Sequence, residues 1–271
     1  MPELPEVETT RRGLTPHLAK QTIQTLIARQ TRLRWPIPTH LKNALPGQII
    51  TQIDRRGKYL LLTCTRGTLI IHLGMSGSLR ILLKTTPATK HDHVDIILRN
   101  GTCLRFNDPR RFGCILWTTD DVNKHDLLKN LGPEPLSRTF TGDYLYNISR
   151  GRRTPIKTFI MDGQIVVGVG NIYANEALFK AGIHPKKAVG KITLDDYKKL
   201  ANAIKKILTT AIKQGGTTLR NFTDSNGKPG YFKQLLRVYG RGKLPCYICQ
   251  TQLKEIRLGQ RSTVYCTKCQ S

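Results

Sequence analysis

Four cysteines near the end of the chain constrain its fold more than any other feature. "CYIC" supplies Cys246 and Cys249, and "CTKC" supplies Cys266 and Cys269 sixteen residues later. Two C-x2-C pairs at this spacing fit a four-cysteine zinc ribbon, in which each knuckle gives two thiolates to one tetrahedral Zn2+. With every position filled by Cys, no coordination site stays open, so one such ion is structural rather than catalytic. A tail this short cannot build a core of its own and must fold around the metal. Two disulfides are the alternative, and a reducing compartment disfavours them. The remaining cysteines, Cys64, Cys103 and Cys114, sit in β-like stretches such as "YLLLTCT" and "TCLRF" and read as small buried hydrophobes.

The tail is also basic: from Lys228 onward, nine Lys or Arg face one acid, Glu255. The whole chain repeats the bias, with 44 Lys and Arg against 18 Asp and Glu and a net charge of +26. Such a surplus attracts polyanions, and nucleic acid is the expected partner. No apolar run approaches the roughly 20 residues a membrane span needs. The acidic, proline-rich start is unlike a secretory signal. The expectation is a soluble protein of the cytoplasm.

Along the chain the hydrophobic period changes once. "PEVETTRRGLTPHL" spaces Val7, Leu14 and Leu18 as a helix, with Pro5 in its first turn and Glu6 and Glu8 at the positive end of the dipole. Six β-type runs follow: "QIITQI", "KYLLLTCT", "GTLIIHL", "VDIILRNG", "TCLRFND" and "GCILWTT". Their short spacing and Gly or Asn-Gly punctuation predict an antiparallel sandwich or barrel. Strand signals stop near Thr119, and "LGPEPLSRTFTGDY" reads as a connector. Beyond it come a helix from Asn171 to a terminating Gly182 and a longer one capped by Thr193 with Asp196. The longer helix carries a stripe of Leu194, Tyr197, Ala201, Ile204, Leu208 and Ala211. The expected fold is α+β in two domains. A β-rich domain spans 1–133, a linker region 134–152, a helical domain 153–236 and a zinc hairpin 237–271.

Several short stretches invite a chemical reading beside a bland one. In "GVGNIYANE", Gly168, Gly170 and Asn171 precede a helix, which suits either an anion site or a plain turn. Met75 in "HLGMSGSLR" and the aromatic of "NDPRRFG" are core plugs or, on exposed loops, wedges that unstack bases. The opening "MPELPEVE" is a proline-glutamate helix cap or something more. Removal of Met1 would leave Pro2 with a secondary amine. An α-amine titrates near pH 8, far below Lys, and its neutral form attacks carbonyl-like carbon to give an iminium. Glu3 and Glu6 stand ready to move protons.

Taken in order, "PELPEVETTRRGL", "RRGKYLLL", "HLGMSGSLR", "KHDHVDI", "DPRRFG", "LGPEPLS", "VVGVGNIYANEALF", "AGIHP", "GGTTLRNF", "GKPGYF", "VYGR" and the four-cysteine finger resemble the bacterial formamidopyrimidine-DNA glycosylases. The resemblance spans essentially the whole chain. It implies a β-sandwich domain with an N-terminal helix, then a helical domain with a helix–two-turns–helix element and a zinc finger. It implies excision of oxidised purines, chiefly 8-oxoguanine and formamidopyrimidines, followed by β,δ-elimination at the abasic site.

By position, the resemblance makes Pro2 the nucleophile at C1′ and Glu3 the acid/base residue, with Glu6 in support. Lys58 becomes the proton donor in β-elimination. Arg261 becomes the finger arginine that grips phosphates and serves δ-elimination. His91, Arg110, Arg152 and Asn171 become DNA contacts. Met75, Arg110 and Phe112 become the residues that fill the gap left by an extruded base, and Gly215 to Phe232 the loop that covers that base. Two departures are visible: Arg152 replaces the usual lysine and keeps its charge, and Gly163 stands where many relatives carry Asn. The implied partner is double-stranded DNA bearing oxidised purines or abasic sites, bound by a monomer close to the bacterial nucleoid. Two other readings remain: a sister glycosylase of the endonuclease VIII type, whose start reads more like Pro-Glu-Gly-Pro-Glu, and a non-catalytic zinc-ribbon nucleic-acid binder.

Overall fold

The computed structural model describes residues 1–216 and 235–271, which divide into two compact units. The first spans Met1–Lys129 and takes in residues 214–216; the second spans Asn130–Lys213 and residues 235–271.

The first unit begins with helix α1 (Leu4–Leu18), which buries Val7, Leu14 and Leu18 as its spacing predicts. Eight strands follow, with a one-turn helix α2 (Leu41–Ala44) after the first. Strands β1 (Ile23–Ala28), β6 (Asp92–Leu98), β7 (Thr102–Asn107) and β5 (Ser78–Leu83) form one sheet in that order. Strands β2 (Ile50–Arg56), β3 (Tyr59–Cys64), β4 (Gly67–His72) and β8 (Cys114–Thr118) form the other. All pairings are antiparallel. Leu26, Val94, Ile96 and Leu104 of one sheet share a core with Ile53, Leu60, Leu69 and Ile115 of the other, so the sheets make a sandwich. Two strands escaped the sequence pattern. In β1 a register shift between Ile23 and Thr25 puts the buried residues, Ile23 and Leu26, three apart and breaks the alternation. In β5 the strand begins directly after a Gly-rich turn that masks it. Burial pushes the thiols of Cys64 up to about 12 and of Cys103 and Cys114 to about 11, which leaves them protonated and inert.

An ion network is buried in the first sheet. Arg105, 2% exposed, makes a fork onto Asp95 at 2.8 and 2.9 Å, and Arg29 reaches the same carboxylate at 2.7 Å. Arg105 also donates to the carbonyls of Thr86 and Pro87, and Asp92 accepts from the Thr89 N–H and hydroxyl. These bonds moor the loop that leads to His91.

The second unit holds α3 (Gly142–Ser149), α4 (Ile156–Met161), α5 (Asn171–Ala181) and α6 (Leu194–Lys213). The start of α3 lies inside the stretch read as a connector, where the Thr141 hydroxyl caps it by accepting from Tyr144 N at 3.0 Å. Helix α5 ends at Gly182 in the left-handed region, φ +72°. A turn closed by Lys187 N to His184 O and a 3-10 turn at Val189–Lys191 then lead to α6. This is the helix–two-turns–helix element. The Thr193 cap on Asp196 N is present at 3.2 Å. The stripe of α6 is buried from Tyr197 to Ala211 and widened by Leu200, Ala203 and Ile212, while Leu194 is half-buried. Strands β9 (Lys254–Leu258) and β10 (Arg261–Tyr265) form the terminal hairpin, whose Leu253 and Val264 share a small core with Phe179 of α5.

Asp95→Ala would strand the buried Arg105 guanidinium. The expected cost is about 3–5 kcal/mol of unfolding free energy, measured by urea titration. A loss below about 1 kcal/mol, the range of surface ion pairs, would show that the network does not hold the sheet.

Candidate functional site

The opening of the chain folds into a buried acidic corner. Glu3 is the N-cap of α1 and Glu6 its third residue, and together they form a capping box. The Glu6 carboxylate accepts from the Glu3 N–H at 2.8 Å. Pro2 is buried, and Glu3 and Glu6 are each 2% exposed. The backbone of Gly216 lies against Glu6: a Cβ added there would come within 3.0 Å of Oε1. Beyond Gly216, the stretch expected to cover a flipped base falls outside the described residues. The amine of Met1, one residue ahead of Pro2, feels the charges of Glu3, Glu6, Lys58 and Arg110. Burial pushes its pKa down, the charges of Glu3 and Glu6 oppose that, and Lys58 and Arg110 add to it. An amine whose neutral form burial favours, beside two carboxyl groups and a lysine, is equipped to attack carbon and pass protons.

Lys58 reaches the corner from the β2–β3 hairpin. Gly57, φ +57°, takes the first central position of a two-residue turn and Lys58 the second, between paired Arg56 and Tyr59. Arg55 moors this turn to α1. Its Nη1 donates to Gly57 O at 2.9 Å and its Nε to Glu8 at 3.2 Å. Glu8 also accepts from Arg11 and Arg12. Burial alone would raise the Glu8 carboxyl, but the hydrogen bonds of Arg11 and Arg12 and the charges of Arg11 and Arg55 hold it at about 2. His72, which the sequence reading passed over, sits at the end of β4. Burial foremost, then the charges of Lys58 and Arg34, push its imidazole down to about 4 against Asp108. Its Nδ1 accepts from Gly74 N at 3.0 Å, so the neutral ring carries its proton on Nε2. The available signal was a lone His closing an apolar strand before a Gly-flanked turn.

Met75, Arg110 and Phe112 come from two adjoining loops. Gly74, φ +62°, packs on the Phe112 backbone so closely that a Cβ would lie 2.4 Å from its carbonyl carbon. Met75 is half-buried, Arg110 exposed and Phe112 46% exposed, with the Arg110 guanidinium 4.8 Å from the Phe112 ring centre. His91 lies half-buried beside them, its carbonyl accepting from Asp108 N at 3.0 Å.

The second unit holds the other candidates. The sulfurs of Cys246, Cys249, Cys266 and Cys269 lie within 4.8 Å of one another, with pairs at 3.9 and 3.4 Å. A tetrahedral ion with bonds of ~2.3 Å needs sulfurs about 3.8 Å apart, so the cluster can hold a metal. Arg261 is exposed at the first position of β10, after a turn whose Gly259 and Gln260 both have positive φ. Arg261 and Arg152 line one cavity of about 350 Å3 with Thr154, Lys157 and Asp162. Buried Lys157 ties α4 to the hairpin, donating to Ser262 O at 2.8 Å and Thr263 Oγ1 at 2.6 Å. Asn171 opens α5, and its carbonyl accepts from Asn175, whose own Oδ1 accepts from Val264 N.

Comparison with known proteins gives one consistent answer. The family model for the formamidopyrimidine-DNA glycosylase N-terminal domain matches residues 1–115, and that for the formamidopyrimidine-DNA glycosylase H2TH domain matches residues 131–223. A formamidopyrimidine-DNA glycosylase of Marinobacter nauticus is 60% identical over 270 residues, covering all of both chains. A mutant Fpg from Lactococcus lactis, solved with a Fapy-dG containing DNA, aligns at TM-score 0.93 and 34% identity over 100% of each chain. The Lactococcus lactis Fpg solved with an abasic site containing DNA aligns at TM-score 0.92 and 35% identity over 99% of each chain.

The Glu8 cluster carries a pH signature. A carboxyl held at about 2 when folded, against an ordinary 4.5, lends stability in full above about 4.5. That contribution drains away as pH falls toward 2. Glu8→Gln should therefore melt well below wild type at pH 7, with the gap in Tm closing as pH approaches 2. A gap that stays constant across that range would refute the assignment.

Proposed function

The chain belongs to the formamidopyrimidine-DNA glycosylase family, and we propose that its buried acidic corner carries out the family's reaction in the manner set out below. The protein is a bifunctional base-excision-repair enzyme of bacteria. It removes oxidised purines from double-stranded DNA as a glycosylase and cuts the strand at the resulting abasic site as a lyase. The observation that supports the residue assignment is that Glu3, Glu6 and Lys58 all act on the amine that starts the chain, here that of Met1 and, after its removal, that of Pro2.

Removal of Met1 leaves Pro2 with the terminal amine, directly before Glu3. Its lone pair attacks C1′ of the damaged nucleotide, and the glycosidic bond breaks as the base departs with the bonding pair and a proton. Glu3 exchanges protons at the sugar, and Glu6, which fixes the Glu3 backbone, supports it. The C1′–O4′ bond then breaks, its electron pair leaving on O4′, which takes a proton from Glu3, and the opened sugar is held as a nitrogen–C1′ iminium. This iminium is an electron sink, so the C2′ proton becomes acidic, and its loss to a neighbouring base expels the 3′ phosphate with the C3′–O bonding pair. Lys58 gives the proton in this step. A second elimination expels the 5′ phosphate, with Arg261 gripping the backbone. His91, Arg110, Arg152 and Asn171 are proposed DNA contacts. Met75, Arg110 and Phe112 fill the space vacated by the base, since chemistry on a stacked base requires its extrusion. The forked donors of Arg110 suit the O2 and N3 acceptors of an orphaned cytosine better than adenine. The Arg152 and Gly163 departures leave this scheme intact. The cysteine cluster holds one structural Zn2+, which keeps the hairpin folded and Arg261 in place. The basic surface fits a cytoplasmic enzyme working on the nucleoid.

Borohydride reduction of a reaction with an 8-oxoguanine duplex should trap a covalent complex joined through Pro2. An N-terminal extension that blocks exposure of the amine should abolish trapping and cleavage while duplex binding persists. Full activity with the extension retained would sink the Pro2 assignment.

Zinc analysis supplies a separate check. One equivalent is expected, and Cys249→Ser should release it and weaken DNA binding while the sandwich still unfolds cooperatively. Active protein free of zinc would rule the structural metal out.

A further inference from the structure

The loops bearing Met75, Arg110 and Phe112 meet on one buried residue, Asp108, which is 0% exposed. Every polar group of this residue is engaged. Its N–H donates to His91 O at 3.0 Å, and its carbonyl accepts from His93 Nε2 at 2.8 Å. Its Oδ1 accepts from the Ser76 hydroxyl at 2.7 Å and its Oδ2 from Gly113 N at 2.8 Å. The Arg110 N–H is shared at 3.3 Å between Ser76 Oγ and Asp108 Oδ1. Ser76 is itself buried, and Arg111, between the two tools, is held at φ +54°, a conformation a non-glycine residue keeps only when its surroundings impose it. One side chain thus fastens residue 76, next to Met75, to residues 110 and 113, on either side of Phe112.

Asp108 and Ser76 are both buried, so any part they play acts through the neighbouring side chains they anchor. Filling a vacated base position requires three side chains to arrive together in one geometry. On loose loops each would have to be ordered during insertion, and that ordering cost would fall on the step that competes with restacking. We propose that Asp108 and Ser76 are positioning residues that preassemble Met75, Arg110 and Phe112 into a single wedge and thereby set both the filling step and the preference for cytosine opposite the lesion. This inference rests on the reading of those three residues as gap fillers.

Ser76→Ala removes one hydroxyl and leaves the core intact, and Asp108→Asn keeps shape while weakening acceptance from Ser76 or Gly113. Each should slow single-turnover excision opposite cytosine by about tenfold more than opposite adenine, as a penalty of ~1.4 kcal/mol at the filling step would. Each should also delay the fluorescence change of 2-aminopurine placed beside the orphaned base. Cleavage of a single-stranded abasic oligonucleotide, which has no gap to fill, should stay at the wild-type rate for Ser76→Ala. Arg110→Ala serves as the reference, and adding Ser76→Ala to it should cost little more, because coupled groups are not additive. Wild-type filling and preference in both anchor variants, with Arg110→Ala flattening the preference, would overturn the positioning role and leave the gap-filling reading standing. An unchanged preference in Arg110→Ala would overturn that reading itself. Equal losses on both duplexes and on the single strand would reduce the anchor to a fold-stabilising contact and defeat the proposal.

Discussion

A carboxylate taken out of water must be met by donors on most of its lone pairs, or it will not stay charged. Much of this molecule is arranged around that requirement. Among the described residues seven acids are buried: Glu3, Glu6, Glu8, Asp92, Asp95, Asp108 and Glu176. Among the described Lys and Arg, only Arg105 and Lys157 are buried. The acids therefore serve as internal fasteners, and the cations are left to face solvent. A net charge of +26 understates how basic the outer surface is. For an enzyme that must find and hold a polyanion, the two uses of charge do not compete.

Apart from the local Glu3–Glu6 capping box, the fasteners join segments distant in sequence. Glu8 and Arg55 tie the helix that starts the chain to the turn that carries Lys58. Asp92 and Asp95 moor the approach to His91. Glu176 of α5 accepts from the backbone N–H groups of Arg237, Val238 and Tyr239 and so fixes where the chain enters the cysteine hairpin. Lys157 and Asn175 fasten the same hairpin from its other strand. Candidate DNA contacts are exposed (Arg110, Phe112, Arg152) or half-buried (Met75, His91, Asn171), while the bonds that aim them are partly or wholly buried, where salt screens them less.

The sequence was legible where one local rule decides the outcome. The cysteine spacing foretold the cluster, the period of Tyr197, Ala201, Ile204 and Leu208 foretold α6, and Gly182 foretold the end of α5. It was illegible where two distant segments decide jointly. Strand β1 was hidden because its bulge answers to its pairing with β6. The start of α3 was hidden in a proline- and glycine-bearing stretch that only its packing on α6 makes helical. Within the candidate site, Pro2 and Glu3 stood out through resemblance and through the chemistry of a terminal amine, and Lys58 through resemblance alone. His72 and Asp108 did not, because their importance lies in what they touch, and no spacing along the chain records that.

Placing the amine at the head of a helix also has an electrostatic logic. The first turn of α1 presents unpaired N–H groups and the positive end of the dipole, a field that favours carboxylate over carboxylic acid. The same field disfavours an ammonium group, so it acts on a nearby amine in the direction that burial does. Burial pushes the Met1 amine this way most strongly, and the cations Lys58 and Arg110 add to it. Only the two carboxylates pull back, and they are also the groups able to receive the proton that is given up. A lysine in mid-chain would need burial deep enough to shift it by several units to become neutral at pH 7. A terminal amine begins within about one unit of that pH, so a modest local field suffices and the site can remain open to a strand of DNA.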